Sequence, residues 1–225
     1  MEHANQLNNI KMELPVILSR TLNDGTRLFV FLYGDYTEEE LTEHTKLTDV
    51  ERNYLASVDH PNRRKEWVAI RTFLQNNMGF ADCSIAYNEK GAPVLKNPDL
   101  NLSISHSSGK AAIVLSENKK VGVDIEVRSN KVLRVVNKYL SEAEQNFLDR
   151  KFRDAHALVC WSAKECAYKI FDRPGTSFKE NMRVKPFKLD SYGSVIVKLF
   201  TDDGLRDYEL LYEQHKDYVV AYGTN

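Results

Sequence analysis

The sequence predicts an α+β fold made of two similar halves, each an antiparallel sheet packed with one long helix. Three observations lead there. Short runs with the two-residue alternation of strands are separated by turn residues such as Asn23-Asp24-Gly25 and Asp202-Asp203-Gly204. Two longer runs without Pro or Gly, residues 62–77 and 154–171, carry apolar side chains at near-helical spacing, and each holds one of the two tryptophans, Trp67 and Trp161. Strand segments follow each of these helices, so the pattern recurs about twice, with halves 1–117 and 118–225.

The 225 residues suffice for one large domain or two small ones with a real core. A net charge of −1 gives no bulk attraction to nucleic acid or to a membrane surface. No apolar run approaches the length of a spanning helix, and residues 1–15 lack the charged-then-apolar layout of a secretory leader. The three cysteines, Cys83, Cys160 and Cys166, have no CxxC spacing, which fits thiols in a reducing cytoplasm and no zinc site.

Taken in order, residues 14–20 and 27–33 read as a hairpin across Asn23-Asp24-Gly25. Thr37 with Glu40, and Thr48 with Glu51, have the spacing of capping boxes, so two short helices start there. Residues 62–77 read as a longer helix whose apolar side is Trp67, Val68, Ile70, Phe73 and Leu74. Arg63, Arg64, Lys65 and Arg71 crowd its first part; a basic first turn opposes the helix dipole, so these are either solvated charges or the seat of an anion.

Residues 84–87, 93–95 and 100–105 have β character, with a turn at 88–91. Ser105-His106-Ser107-Ser108-Gly109 ends a strand in a group of hydroxyls and an imidazole, either a polar cap or a set of donors for an oxyanion. Residues 110–116 and 120–127 read as a strand pair around residues 117–119. In the second, alternation puts Val121, Val123 and Ile125 on one face and Asp124 and Glu126 on the other. Two carboxylates at i and i+2 stand about 7 Å apart along the strand. They are either the polar face of an edge strand or a pair able to share a hard divalent cation.

A third capping box, Ser141 with Glu144, starts a helix that runs to about residue 151. The apolar residues of segment 132–148, Val135, Val136, Tyr139 and Leu140, are either core or part of a docking surface. The helix over 154–171 then aligns Leu158, Trp161 and Glu165 along one stripe, and Glu165 and Lys169 share a face. Arg173-Pro174-Gly175 stops it, and strands follow at 182–189, 194–201, 206–213 and 218–223.

Gly122-Val123-Asp124-Ile125-Glu126, followed after 34 residues by Trp161-Ser162-Ala163-Lys164-Glu165-Cys166-Ala167-Tyr168-Lys169, closely resembles the paired signature of the 4′-phosphopantetheinyl transferases. The resemblance is to the larger, monomeric, two-lobed kind, with the site between the lobes. Ser105-His106-Ser107 and the basic Trp-containing helix near residue 64 extend it over residues 60–170.

The resemblance implies transfer of the phosphopantetheine arm of coenzyme A to a serine of an apo acyl or peptidyl carrier protein, with release of 3′,5′-ADP. It implies Asp124, Glu126 and Glu165 as ligands of Mg²⁺ or Mn²⁺, with Glu165 also the base for the carrier serine. Lys164 and Lys169 resemble the lysines that meet the coenzyme A phosphates, Lys169 being counted with the catalytic groups. His106 with Ser105, and Arg64 and Arg71, resemble the groups around the 3′-phosphate. The family often has Gly-Lys-Pro where this chain has Gly91-Ala92-Pro93, so Lys90 is the candidate substitute. A silent coenzyme A- or carrier-binding paralogue and a metal-dependent nucleotide hydrolase are the competing functions.

Overall fold

The computed structural model describes residues 11–81, 83–96 and 100–225. Most of residues 1–15, read above for a leader, lie outside that range. The described chain opens with β1 (Val16–Thr21) and β2 (Arg27–Leu32), an antiparallel pair as expected. Helices α1 (Glu38–Glu43) and α2 (Asp49–Ser57) follow, each with its full capping box: the threonine hydroxyl accepts from the N3 amide while the glutamate accepts from the cap amide. Each such cap is worth about 1 kcal/mol.

Helix α3 (Pro61–Thr72) runs into a π-helical turn at Phe73–Asn77, so the helix expected over 62–77 changes pitch near its end. Strands β3 (Ser84–Tyr87) and β4 (Pro93–Lys96) pair with each other. Then come β5 (Asn101–Ser107), β6 (Lys110–Ser116) and β7 (Val121–Val127). Helices α4 (Lys131–Arg134), α5 (Val136–Tyr139) and α6 (Glu142–Phe147) are single turns or little more, α6 ending short of residue 151. The 19-residue α7 (Arg153–Phe171) ends at Asp172, which adopts a left-handed conformation. Strands β8 (Met182–Val184), β9 (Tyr192–Thr201), β10 (Gly204–Gln214) and β11 (Tyr218–Thr224) close the chain, β8 being shorter than expected.

The strands form two antiparallel sheets, β1-β2-β6-β5 and β7-β11-β10-β9-β8, beside the small β3-β4 pair. The first therefore uses residues from 16 to 116 and the second residues from 121 to 224. One expectation fails here: β6 and β7 do not pair. β6 bonds to β2 and β5, whereas β7 bonds to β11, because the chain changes sheet between Ser116 and Val121.

Three apolar layers hold the stack. Val68, Ile70, Phe73 and Leu74 of the first long helix and its π-turn pack with Phe31, Ile113 and Leu115 of the first sheet. Leu28, Val30, Ala112 and Val114 meet Val121, Val123, Ile125 and Val220 between the sheets. Ala157, Cys160, Ala163 and Ala167 of α7 pack with Val195, Val197, Leu210 and Val219 of the second sheet. The order is helix, sheet, sheet, helix, an α+β fold in which each sheet carries one long helix. Val136, Tyr139 and Leu140 are buried in the α7 layer, and Val135 stays 37% exposed, so most of that apolar surplus is core. Among the described residues no helix is long and apolar enough to cross a membrane.

Candidate active site

The site forms where β5, the edge of one sheet, runs beside β7, the edge of the other, and α7 packs on β7. Alternation along β5 sends Ser103, Ser105 and Ser107 to the β7 side. Ser103 Oγ accepts from Val123 N (3.1 Å) and Ser107 Oγ from Val127 N (3.1 Å), so hydroxyls satisfy amides that β7 would otherwise leave unpaired at its edge. Ser105 Oγ donates to Asp124 Oδ1 (3.0 Å), and Ser107 Oγ donates to Glu126 Oε2 (3.1 Å). This comb of serines fixes both acids of the β7 motif.

Gly122 brings α7 onto them. A Cβ added there would fall on the carbonyl oxygen of Cys166 and within 2.8 Å of Ile170, so only glycine allows this approach. Cys166, fully buried, fits the contact. Trp161 Nε1 donates to Glu126 Oε1 (3.3 Å). Lys169 does not form the i,i+4 pair with Glu165; its Nζ crosses to β7, donating to Val123 O (2.7 Å) and Asp124 Oδ1 (3.2 Å).

Asp124 is 4% exposed, and its second oxygen, Oδ2, is buried with no hydrogen-bond partner. Burial, reinforced by the charge of Asp124, pushes the Glu126 carboxyl up. The same two causes, with burial again the larger, push Glu165 up to about 7 against the opposing pull of Lys169. Three acids thus crowd one buried corner with one lysine. An orphaned carboxylate oxygen and two carboxyls held up by burial and by neighbouring charge are the signature of a position that a hard cation would relieve. The donors are all carboxylate oxygens, which suit a hard divalent cation, although among the described residues no three acid, His or Cys side chains already close into a ligand set.

Several predicted binding residues lie elsewhere. Ser105 faces Asp124, and strand alternation puts it on the face opposite His106, so it orients an acid and does not line the cleft that His106 lines. Lys164 is wholly buried: its Nζ pairs with Glu144 (2.7 Å) and donates to the carbonyls of Tyr139 (2.7 Å), Phe178 (2.9 Å) and Met182 (3.2 Å). Arg64 turns to α1, where its Nε donates to Glu38 Oε2 (2.8 Å). Lys90 reaches the end of α7, donating to Asp172 O (2.7 Å) and pairing with its carboxylate (3.3 Å).

His106 and Arg71 do share a cleft, of about 350 Å³, with Arg63, Glu66, Trp67, Tyr54 and Tyr87 among its walls. The Arg71 guanidinium, 3.2 Å above the Trp67 ring, is already paired with Glu51 (2.9 Å). Arg63 is the basic residue of α3 that lines the cleft in place of Arg64. A second cleft, about 210 Å³, lies between the 88–94 turn region and the end of α7; Lys169 and Lys120 line it, and Pro93 borders both clefts. Ser103, Ser107 and Trp161 were legible as site residues from period-2 spacing and from the motif; Glu66 and Glu144 had no local signal.

No curated protein matches the chain in sequence. The family model of the 4′-phosphopantetheinyl transferase superfamily matches residues 120–223. That span takes in β7, α7 and the last four strands, and with them Asp124, Glu126, Glu165 and Lys169. Over residues 120–223, a little under half of its length, this chain is therefore similar to the 4′-phosphopantetheinyl transferase superfamily.

Proposed function

We propose that this chain transfers the 4′-phosphopantetheine arm of coenzyme A to a serine of an apo acyl or peptidyl carrier protein and releases 3′,5′-ADP. The observation that carries this reading is the corner where Glu165 of α7, Asp124 and Glu126 of β7 and Lys169 come together, with Asp124 Oδ2 left without a partner. Asp124, Glu126 and Glu165 would hold Mg²⁺ or Mn²⁺. When bound, such a cation neutralises charge on the pyrophosphate oxygens.

The rest falls to the chain's own groups. The serine oxygen forms a bond to the β-phosphorus as the bond to the leaving 3′,5′-ADP breaks, and the serine proton goes to Glu165. In the metal-free chain burial and the neighbouring acids hold this carboxyl at about 7; a bound cation would favour its ionised form, the form a general base needs. Lys169, anchored on Asp124 and Val123, fixes the acid it touches and adds positive charge to the smaller cleft. His106 and Arg63 would hold the nucleotide end in the larger cleft, beside the Glu51-paired Arg71, with Tyr54, Trp67 and Tyr87 offering aromatic faces. Positioning of this kind, more than covalent help, is what phosphoryl-type transfer needs.

The same reading takes the protein as a cytoplasmic monomer whose halves, 1–117 and 118–225, are pseudo-twofold lobes supplying the two sides of the site. The test is a mass spectrum of an apo carrier protein after incubation with this chain, coenzyme A and Mg²⁺. A gain of one phosphopantetheinyl unit, lost with EDTA, is the expected result; no gain across several carrier types rejects the reading.

A further inference from the structure

The larger cleft contains an arrangement that none of the motifs explains. Glu66 of α3 places its Oε2 3.4 Å from Nδ1 of His106, and its other oxygen accepts from the Tyr33 hydroxyl at 3.4 Å. Tyr33 is 3% exposed, whereas the His106 side chain is 46% exposed and lines the cleft. An acid in the wall of a cleft meant for an anion is out of place unless it serves the group beside it.

The three segments that carry these residues are tied together. Tyr33 N and Gly34 N both donate to Gly109 O, at 2.9 and 3.0 Å, which fastens the end of β2 to the turn after β5. Gly109 has φ +78°, and a Cβ on it would lie 2.8 Å from Gly34 Cα, so this approach is built on two glycines. Lys65, next to Glu66, donates to Gly34 O at 2.6 Å and docks α3 on the same loop. The relation of Tyr33, Glu66 and His106 is therefore set by the backbone bonds at Gly109 and by the Lys65 anchor on Gly34.

We propose that Glu66, held by Tyr33, is a positioning residue for His106. It takes the Nδ1 proton and so fixes which ring nitrogen, Nε2, is offered to the cleft, where it meets the 3′-phosphate of the nucleotide. A histidine whose one nitrogen is bound to a carboxylate has its ring plane and tautomer defined, and it shares the imidazolium charge when an anion binds the other nitrogen. The ring then stands between the two anions. The nearby Arg71 is committed to Glu51, which leaves His106 as a group able to distinguish a phosphate from a hydroxyl at that position.

This inference rests on the proposed function, since it takes a coenzyme A-type nucleotide as the ligand, but it is tested without transfer. Calorimetry on the full chain compares 3′,5′-ADP with 5′-AMP. The wild type is expected to prefer 3′,5′-ADP. Glu66→Ala cuts that preference about tenfold, the weight of one charge-assisted hydrogen bond. Glu66→Gln, whose amide oxygen still accepts from Nδ1, restores most of it. A merely structural role would weaken both nucleotides alike and leave the ratio unchanged, and that result overturns the proposal, as does a wild type with no preference. Should the variants fail to fold, the ¹⁵N spectrum of the wild-type imidazole at alkaline pH decides: the Nδ1–H tautomer supports the relay and the Nε2–H tautomer overturns it. Loss of carrier modification with this preference intact would reject the transfer reading and leave the relay standing.

Discussion

Replacing Lys164 by Met separates a buried structural role from substrate binding. Lys164 and Glu144 have side chains 0% and 3% exposed and meet at 2.7 Å. Burial, opposed by Glu144, pulls the Lys164 ammonium below its ordinary value, so the pair sits in a place hostile to charge. Without the lysine, Glu144 keeps its donors from Ser141 N (2.8 Å), Ser141 Oγ (2.7 Å) and Val184 N (2.8 Å), but the carbonyls of Tyr139, Phe178 and Met182 lose theirs. Removing one member of such a pair costs about 3–5 kcal/mol. For a domain of this size that lowers the Tm by about 6–20 °C. Adding Glu144→Gln removes the stranded charge, and its single amide oxygen keeps one of the two acceptor positions, toward Ser141 or toward Val184, so it should return part of the loss. Thermal melts of the single and double variants are the assay. An unchanged Tm with a raised KM for coenzyme A would refute the reasoning and return Lys164 to the phosphates.

Four further outcomes follow from the same geometry. Asp124→Asn removes the charge that helps hold Glu165 near 7, so the Glu165 pKa, read by carboxyl ¹³C NMR, should fall toward 4.5 and Mn²⁺ binding should be lost. In the wild type that binding weakens as pH drops through about 7, because the ligand must be ionised. His156 is 2% exposed, with Nδ1 accepting from Asp149 N (3.0 Å) and Nε2 buried without a partner, and burial lowers its pKa. The unfolded chain thus binds the proton more readily, so stability is full above about 6.5 and falls as pH drops below it; denaturant melts from pH 8 to 5 should show a slope that His156→Phe reduces. Gly122→Ala forces β7 from α7 and should destabilise by about 1–3 kcal/mol or more, measured by urea titration, with loss of cation binding.

What was legible in the sequence was local chemistry. The boxes at Thr37, Thr48 and Ser141 involve only residues three apart, and all three formed as read. The alternation in β7 correctly put Val121, Val123 and Ile125 in the core between the sheets. Partner choice was not legible: β6 and β7 have the pattern of a hairpin, and nothing in either strand says that the next residues leave for another sheet. Lys164 parts from Glu165 for a simple geometric reason. It follows Cys160 by four residues and Ala157 by seven, which is the fully buried face of α7, whereas Glu165 and Lys169 follow Trp161 by four and eight on the face turned to β7. Neighbours in a motif are about 100° apart on a helix, so adjacency in sequence does not mean a shared site. Ser105 and His106 repeat the lesson on a strand, where adjacent residues point to opposite sides. Glu66 and Glu144 find their partners 40 and 20 residues away, and no local pattern announces such pairs.

The most direct measurement is the stoichiometry of 3′,5′-ADP released against carrier protein modified, with wild type and Glu165→Gln in parallel. One nucleotide per phosphopantetheinyl unit, with both products falling by orders of magnitude in the variant, is the predicted result. Nucleotide released without a carrier would make this a hydrolase that uses the same acids on water. Coenzyme A bound with no nucleotide released would make it a silent binding protein, and either outcome contradicts transfer.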